Sequence, residues 1–571
     1  MSKNRTINNS SVFTIFIFLL LPALLYAQAP PFSWAINPKG LDNDWAIDMA
    51  TGPDGTVYVL GGFGSDSLEF GDTTLYASIS GAKYFVAKYD SLGNFINVKA
   101  FYHGGSSWVT VNGIHVDENS NLYMVGAYEG SVLVAPGYTL PPTPNNLTYA
   151  YIIKFDSLGQ VIWARFEQTN NPPENSIFQK VRTDSFGNVY ATGTYTTDSV
   201  VFDSYVVHNH NTQYSVDIFI VKYDSAGTVL WAKGCGGVNT DELMGINVDH
   251  SGNLIVCGTF NYGDMWFDNY QLIISGVSDL FIAKYDPAGN VLWVQDTPDM
   301  GGEEADDVGT DAAGNIYVAG TYNGTFNLDT VEIPYTASGI QAFISKFDSN
   351  GNCIWAKCPE GNDQDHGFKI FVHPSGNSVM SGIFNSDSLV FPTAVLPGDW
   401  AFDMYLAAYD DAGTFLWAQQ AGTQGEYEDF TDMAVDSYGK IYISGTFDAA
   451  SISFGNILLN NSDTLFPEED IFLAGLGPVN IFSGLEQIMR TNVSFNIYPN
   501  PASAYLMISF SDIPHSLELI MTDISGKEIL RKKAEDTQLV ELNISSLSPG
   551  IYLLQLQNSE FTEWRKVIVG N

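Results

Sequence analysis

The sequence is poor in basic residues, in cysteine and in long apolar runs. Lysine and arginine total 24 against 64 aspartate and glutamate, a formal charge of −40 over 571 residues. A surface this acidic repels phosphate backbones and anionic lipid headgroups, so nucleic-acid partners are excluded and membrane association has no electrostatic basis. Charged residues make up only 15% of the chain while aromatics reach 13%. That balance excludes a disordered chain, which needs few aromatics and much charge, and a helical bundle rich in Ala, Glu, Lys and Leu. The 4 cysteines, Cys235, Cys257, Cys353 and Cys358, are too sparse to be the main support of a chain of this length. In an oxidising compartment they permit disulfides in any of three pairings. Cys353 and Cys358 are an odd number of positions apart, which would point them to opposite faces of a shared strand. No GxSxG elbow, HExxH pair or Walker A loop occurs.

One apolar run is long enough to weigh. Val12 to Tyr26 follows Lys3 and Arg5 and leads into Ala27-Gln28-Ala29. A basic start, a short apolar stretch and small residues at its exit mark a cleavable secretory signal over residues 1–29, cut after Ala27 or Ala29. The run is shorter than the ~20 residues of a spanning helix and contains Pro22, so no transmembrane anchor is expected.

What the chain does have is repetition, punctuated by 53 glycines. A turn, an apolar strand and Gly-x-aromatic recur as DGTVYVLGGF, SNLYMVGAY, GNVYATGTY, GNLIVCGTF, GNIYVAGTY, GNSVMSGIF and GKIYISGTF. Their aligned glycines are Gly61, Gly126, Gly193, Gly258, Gly320, Gly382 and Gly445, 62 to 67 residues apart. Between them recurs a second strand ending in an Asp-x-x-Gly turn, as in FVAKYDSLGN from Phe85 and FIVKYDSAGT from Phe219. Aspartate starts such a turn and glycine supplies its positive φ. A third strand follows, carrying Trp163, Trp231, Trp293, Trp355 and Trp417, with Asn97 at that place in the first copy. A further hairpin-like stretch, such as residues 65–81, completes each unit.

The seventh copy stops after DIFLAGL at 470–476, and the missing Trp strand is supplied by FSWAINPKG at 32–40. A linear solenoid has no use for a repeat permuted in this way. A closed ring does, because closure removes the exposed strand edges that invite aggregation. The expected fold is therefore all-β: over residues 30–480, a seven-bladed β-propeller of four-stranded blades, the last closed by both ends of the repeat region. The pattern D-x-x-G-N-x-Y-x-x-G-x-F, then D-x-F-x-x-K-Y-D and a terminal Trp, resembles the SBBP-type bacterial β-propeller repeat over roughly residues 32–478. The resemblance speaks for fold, since propellers host both enzymes and binding scaffolds.

After a linker at 481–493 the composition changes. Residues 494–571 carry nearly balanced charge and alternating apolar segments split by Pro, Gly and Ser turns, the pattern of a small immunoglobulin-like β-sandwich. Tyr498-Pro499-Asn500-Pro501, the Asp523–Lys527 turn, Ser548-Pro549-Gly550-Ile551-Tyr552 and the final Lys566-Val567-Ile568-Val569 resemble the type A C-terminal sorting domain of the type IX secretion system. That resemblance implies the outer-membrane type IX machinery as a partner. It also implies a secreted or surface-attached protein of a Gram-negative bacterium, with the tail cleaved on export.

Aligning the repeats on the turn residue shows an acid eleven positions earlier in five copies: Asp44, Asp241, Glu303, Asp365 and Glu428, with Val109 and Ser176 in the others. Five carboxylates at one height can form a collar for a divalent cation such as Ca²⁺ or for a cationic ligand. They can equally accept hydrogen bonds within their own blades, so no cofactor is required. The repeat tryptophans read as packing between blades, with sugar stacking as the alternative. The run Glu303, Glu304, Asp306, Asp307 lacks the alternation of an EF-hand loop and reads as a solvated loop. His208 and His210 also fall in a polar loop-like stretch. Asp66-Ser67-Leu68, Asp198-Ser199-Val200 and Asp387-Ser388-Leu389 match bacterial O-glycosylation triplets or ordinary turns. The functional expectation is a scaffold for binding or adhesion to surface glycans or proteins. The alternative is a polysaccharide-active hydrolase or lyase with a carboxylate pair at the ring mouth.

Overall fold

The computed structural model describes residues 29–477 apart from 78–82, 104–107, 131, 136–137, 144–146, 168–175, 211–214, 298–300, 336–338, 400, 424–427 and 464–467, and residues 495–570 apart from 499–501, 503, 511–516, 524–526, 535–536, 538, 546, 549 and 558–561. The signal segment up to residue 28 and the 481–493 linker lie outside the described residues. The chain divides into two compact units, Met1–Phe482 and Ser483–Asn571. Among the described residues there is no helix.

The larger unit is a succession of antiparallel meanders. The first runs Asp44–Thr51, Val57–Phe63, Lys83–Tyr89 and Phe95–His103, and the pattern repeats through the chain. In the last, Phe32–Ile36 joins the outer edge of Asp470–Leu476, with Trp34 opposite Gly475 and Ile36 opposite Leu473. That sheet thus unites strands more than 430 residues apart, as the truncated seventh copy requires. Between the second and third strands of each meander stands a two-stranded hairpin. Two of these, Val132–Ala135 with Tyr138–Thr139 and Met265–Phe267 with Tyr270–Leu272, extend the outer edge of the preceding sheet. The innermost strands, Asp44–Thr51, Trp108–Val116, Ser176–Thr183, Asp241–Val248, Glu303–Thr310, Asp365–Val372 and Glu428–Val435, each neighbour the next, and the last neighbours the first.

Every innermost strand carries a β-bulge at the same place. In the fourth meander Leu243 pairs with Gly258 and Gly245 with Cys257, leaving Met244 as the extra residue. The extra residue bends the strand and pushes the preceding carbonyl towards the partner strand. A Cβ on Gly258 would lie 2.0 Å from Glu242 O; at Gly126, Gly193, Gly320, Gly382 and Gly445 the equivalent distance is 1.8–2.1 Å. The repeat glycine is therefore a steric requirement of the bulge facing it.

The outer turns and tryptophans lock neighbouring sheets together. Asp90 Oδ1 accepts the Leu92 and Asn94 backbone N–H groups at 2.9 Å, which fixes a turn whose Gly93 has φ +82°. The absent Cβ at that glycine lets the Trp34 ring of the adjoining sheet lie flat against it. Nε1 of Trp163, Trp231 and Trp355 donates to Ser225 O, Pro287 O and Asp411 O of the following sheet at 3.1 Å. Asn97 stands where the first sheet lacks Trp, and there Lys99 Nζ donates to Leu158 O at 3.3 Å and Gly159 O at 2.6 Å. The repeat tryptophans thus serve packing between sheets.

The smaller unit has two antiparallel sheets, Phe495–Tyr498, Tyr505–Phe510, Leu539–Asn543 and Glu528–Ala534, Leu517–Asp523, Gly550–Gln557, Thr562–Val569. Both contribute to one core of Leu506, Ile508, Val540, Leu519, Met521, Leu554 and Val567.

Gly258→Ala should cost about 3 kcal/mol, the upper range for forcing a methyl into a packed site, since the obstacle is backbone. A urea titration measures it. Deleting Phe32–Ile36 should lower the melting temperature by on the order of 10 °C, because it exposes the apolar edge of Asp470–Leu476. Removing the exposed turn residues Gly71 and Asp72 is the control, with a shift of a degree or two.

Candidate functional site

The five acids predicted as a collar are each the first residue of an innermost strand, and each is 0 or 1% exposed. Backbone bonds tie this point to the neighbouring sheet: Asp44 N donates to Glu469 O, Asp241 N to Val216 O and Asp365 N to Ile340 O. Their carboxyls are engaged locally. Ser65 Oγ donates to Asp44 Oδ2 at 2.9 Å and Ser386 Oγ to Asp365 Oδ2 at 2.8 Å. Thr423 N donates to Glu428 Oε1, and Thr297 Oγ1 to Glu303 Oε2 at 3.4 Å. Where Ser176 replaces the acid, its hydroxyl donates to the buried Glu167. Among the described residues no three His, Cys, Asp or Glu side chains are grouped so as to hold a metal. The acids lie in separate seams between sheets, where Asp44, Glu303, Asp365 and Glu428 each meet a donor of their own.

Burial sets their charge state. It pushes Asp44, Asp365 and Glu167 up to about 7, against the pull of their serine donors. Asp241 rises furthest, to about 8, through burial and then through repulsion from Asp217. Asp217 in turn accepts the His210 backbone N–H at 2.8 Å and lies 3.1 Å from His210 Nδ1.

Other sequence expectations meet mixed outcomes. The Glu303–Asp307 run is the start of an innermost strand instead of a solvated loop. The bulge there gives three of its four acids different settings: Glu303 is buried in a seam, Asp306 lines the central space, and Asp307 Oδ2 accepts Ile370 N at 3.1 Å. All four cysteines are free thiols, with no disulfide. Cys358 lies just beyond the strand Cys353–Lys357, and both cysteines pack against the same core, so the alternation argument does not reach them. His208 closes a hairpin strand and His210 follows it, stacked on Trp266. Ser67, Ser199 and Ser388 begin hairpin strands and are half-buried. In the tail, Tyr498 is exposed, Gly550 pairs with Val569, and Tyr552, opposite Val567, donates its hydroxyl to Ser548 O. Lys566 lies on the last strand, and Pro499, Asn500 and Pro501 lie outside the described residues.

The place the collar reading missed is the space enclosed by the innermost strands. A cavity of about 610 Å³ there is lined by residues that include Gln179, Lys180, Asp306, Phe368, Lys369 and Phe430. Immediately after each bulge the strands carry Asp48, Gly113, Lys180, Gly245, Asp307, Lys369 and Asp432. The aspartates satisfy N–H groups on the neighbouring bulged strand: Ile114 N donates to Asp48 Oδ2 at 2.7 Å and Met49 N to Asp432 Oδ2 at 2.8 Å. Lys369 Nζ lies 3.2 Å from Asp432 Oδ1. Burial opposes the Lys369 charge, but Asp432, Asp307 and Asp48 outweigh it and hold the ammonium above its ordinary range. Burial and Asp432 push Asp48 up to about 7. Lys180 is pulled down, first by the Lys369 ammonium and then by burial. The signal for this column was present, seven positions before the turn residue in the same alignment.

Residues 496–570 match the family described as the secretion system C-terminal sorting domain. A type IX sorting domain thus closes the chain, and it implies export to the cell surface or release, with the secretion machinery as partner. An uncharacterized WD repeat-containing protein of Acanthamoeba polyphaga mimivirus, L264, is 24% identical over 71% of this chain and 34% of its own length. The chain thus spans about a third of that relative. Among solved structures, a protein of unknown function from Dyadobacter fermentans shares 10% identity over 78% of this chain and 98% of its own, with TM-score 0.34. An ulvan lyase of polysaccharide lyase family PL25 shares 12% over 74% and 92%, with TM-score 0.37.

Buried carboxyls with raised pKa values stabilise the fold in their protonated form. That contribution is complete below the unfolded value near 4 and is lost as pH rises through about 7 to 8. The melting temperature should therefore fall between pH 5.5 and 8.5, and Asp241→Asn, which keeps the neutral form, should flatten the decline. Calorimetric scans across that range measure both.

Proposed function

We propose that residues 30–480 form a seven-bladed β-propeller of the SBBP repeat type, working outside the cell as a binding or adhesion scaffold without catalysis. In this reading residues 1–29 carry the chain across the inner membrane, and the tail, an immunoglobulin-like sandwich, addresses it outward and is removed. The single observation that carries the binding role is the division of labour among polar side chains. Those at most repeat positions are consumed by the fold: Lys154, Lys222, Lys284 and Lys346 each meet the aspartate of their own inner turn, within 3.1–4.0 Å. The residues around the central cavity vary from strand to strand, and lysine stands after the bulge in only two of the seven innermost strands. A concave site with a few polar groups is the usual place for a ligand.

A glycan array probed with the secreted chain, beside a panel of chromogenic glycosides, tests this. Array binding with no turnover supports a scaffold; turnover of any glycoside replaces it with the polysaccharide-active enzyme. The sorting role has its own test. The strand Thr562–Val569 pairs along Gly550–Gln557 and places Val567 and Val569 in the core, so its loss opens the tail sandwich. Removing residues 562–571 should cut the surface-exposed fraction at least about tenfold while a folded propeller accumulates in the periplasm. Surface proteolysis of intact cells measures the fraction.

A further inference from the structure

We propose that the central cavity binds an acidic sugar, a single uronate unit within a short saccharide, with its carboxylate held by Lys180 and its hydroxyls by Gln179 and Asp306. This inference rests on the scaffold reading and specifies its ligand. The volume, about 610 Å³, falls within the usual range for small-molecule sites and accommodates a disaccharide.

The lysine supplies the first argument. Lys369, the other channel lysine, has a carboxylate 3.2 Å away. Among the described residues no hydrogen bond or ion pair reaches Lys180 Nζ, although Asp48, Asp432 and Asp307 act on it from further off. An ammonium placed in a concave site beside a second ammonium is costly unless an anion completes it. The repeat does not demand it either, since the equivalent position is aspartate or glycine in five of the seven innermost strands.

The neighbouring polar atoms supply the second. Gln179 Oε1 and Asp306 Oδ2 are buried and have no hydrogen-bond partner among the described residues, and both residues line the same cavity as Lys180. A buried acceptor without a donor costs about 1–3 kcal/mol, so the site lacks donors, and among the described residues Lys180 lacks an anion in contact with it. Inorganic phosphate or a simple carboxylate brings the charge but not several hydroxyl donors; a neutral sugar brings hydroxyls but no charge. A uronate brings both. Phe368 and Phe430 add apolar surface for the C–H faces of a pyranose ring. The surrounding protein is strongly acidic and repels a polyanion at long range, which favours a ligand with one carboxylate over a polyuronate.

Titration calorimetry of the full chain with a glucuronosyl disaccharide bearing one carboxylate, and with its neutral glucosyl counterpart, tests the assignment. The acidic sugar should bind at least about tenfold more tightly. Lys180→Met should abolish that preference with the melting temperature within a degree or two of the parent, and Lys180→Arg should retain part of it. Gln179→Leu should weaken both sugars together. Equal binding of the two sugars, no binding of the acidic one, or a preference that survives Lys180→Met overturns the proposal. Array binding that persists in Lys180→Met leaves the scaffold standing and removes only this site, whereas an array blank for the parent strikes the scaffold itself.

Discussion

The bulge in each innermost strand is the constraint from which the rest of the larger unit follows. Inserting one residue into an otherwise regular ladder drives a carbonyl against the second strand, and only glycine leaves room for it, as at Gly258 beneath Glu242 O. The same bulge frees backbone N–H groups on the neighbouring strand, which aspartates such as Asp48 and Asp432 reach across to satisfy. It also sets an extra side chain at the central cavity, among them Gln179 and Asp306. One local irregularity thus fixes the repeat glycine, ties adjacent strands and furnishes the walls of the cavity.

Around the outside, a second set of interactions holds sheet to sheet. Tryptophan from one sheet lies on the glycine of the next sheet's turn and donates to a carbonyl there. The repeat lysine serves the same seam: Lys222 Nζ donates to Pro287 O at 3.0 Å while lying over the Tyr190 ring. Buried carboxyls close the seam further in, and their burial raises their pKa values. Because these demands recur at every junction, they recur in the sequence. Residues that break the pattern are then the ones free to serve a ligand.

The strands, their order and the pairing of residues 32–36 with 470–476 were legible because each rests on a local signal repeated many times over. A turn needs Asp and Gly, a half-buried strand needs alternation, and a truncated copy at one end needs its complement at the other. The tail was legible for the same reason, its final strand marked by Lys566-Val567-Ile568-Val569 and its turn by Gly550. The acids at the strand starts were found but their company was not. Sequence gives Asp44 and Asp365 the same rank in the repeat, yet it does not show that Ser65 and Ser386, 21 residues further on, return to meet them.

Sequence by itself therefore determined the all-β class, the repeat and its period, the two-unit organisation and the sorting tail, since these follow from short-range backbone preferences and motif order. Tertiary structure alone decided that the acidic run at 303–307 is an innermost strand with Glu303 buried, that the acids meet local partners in separate seams, and that Lys180 and Lys369 face one cavity. The reason is physical. A bulge displaces side chains from the simple alternation of a strand, and seams bring together residues 60 or more apart, so neither the facing of a side chain nor its partner is written in its neighbours.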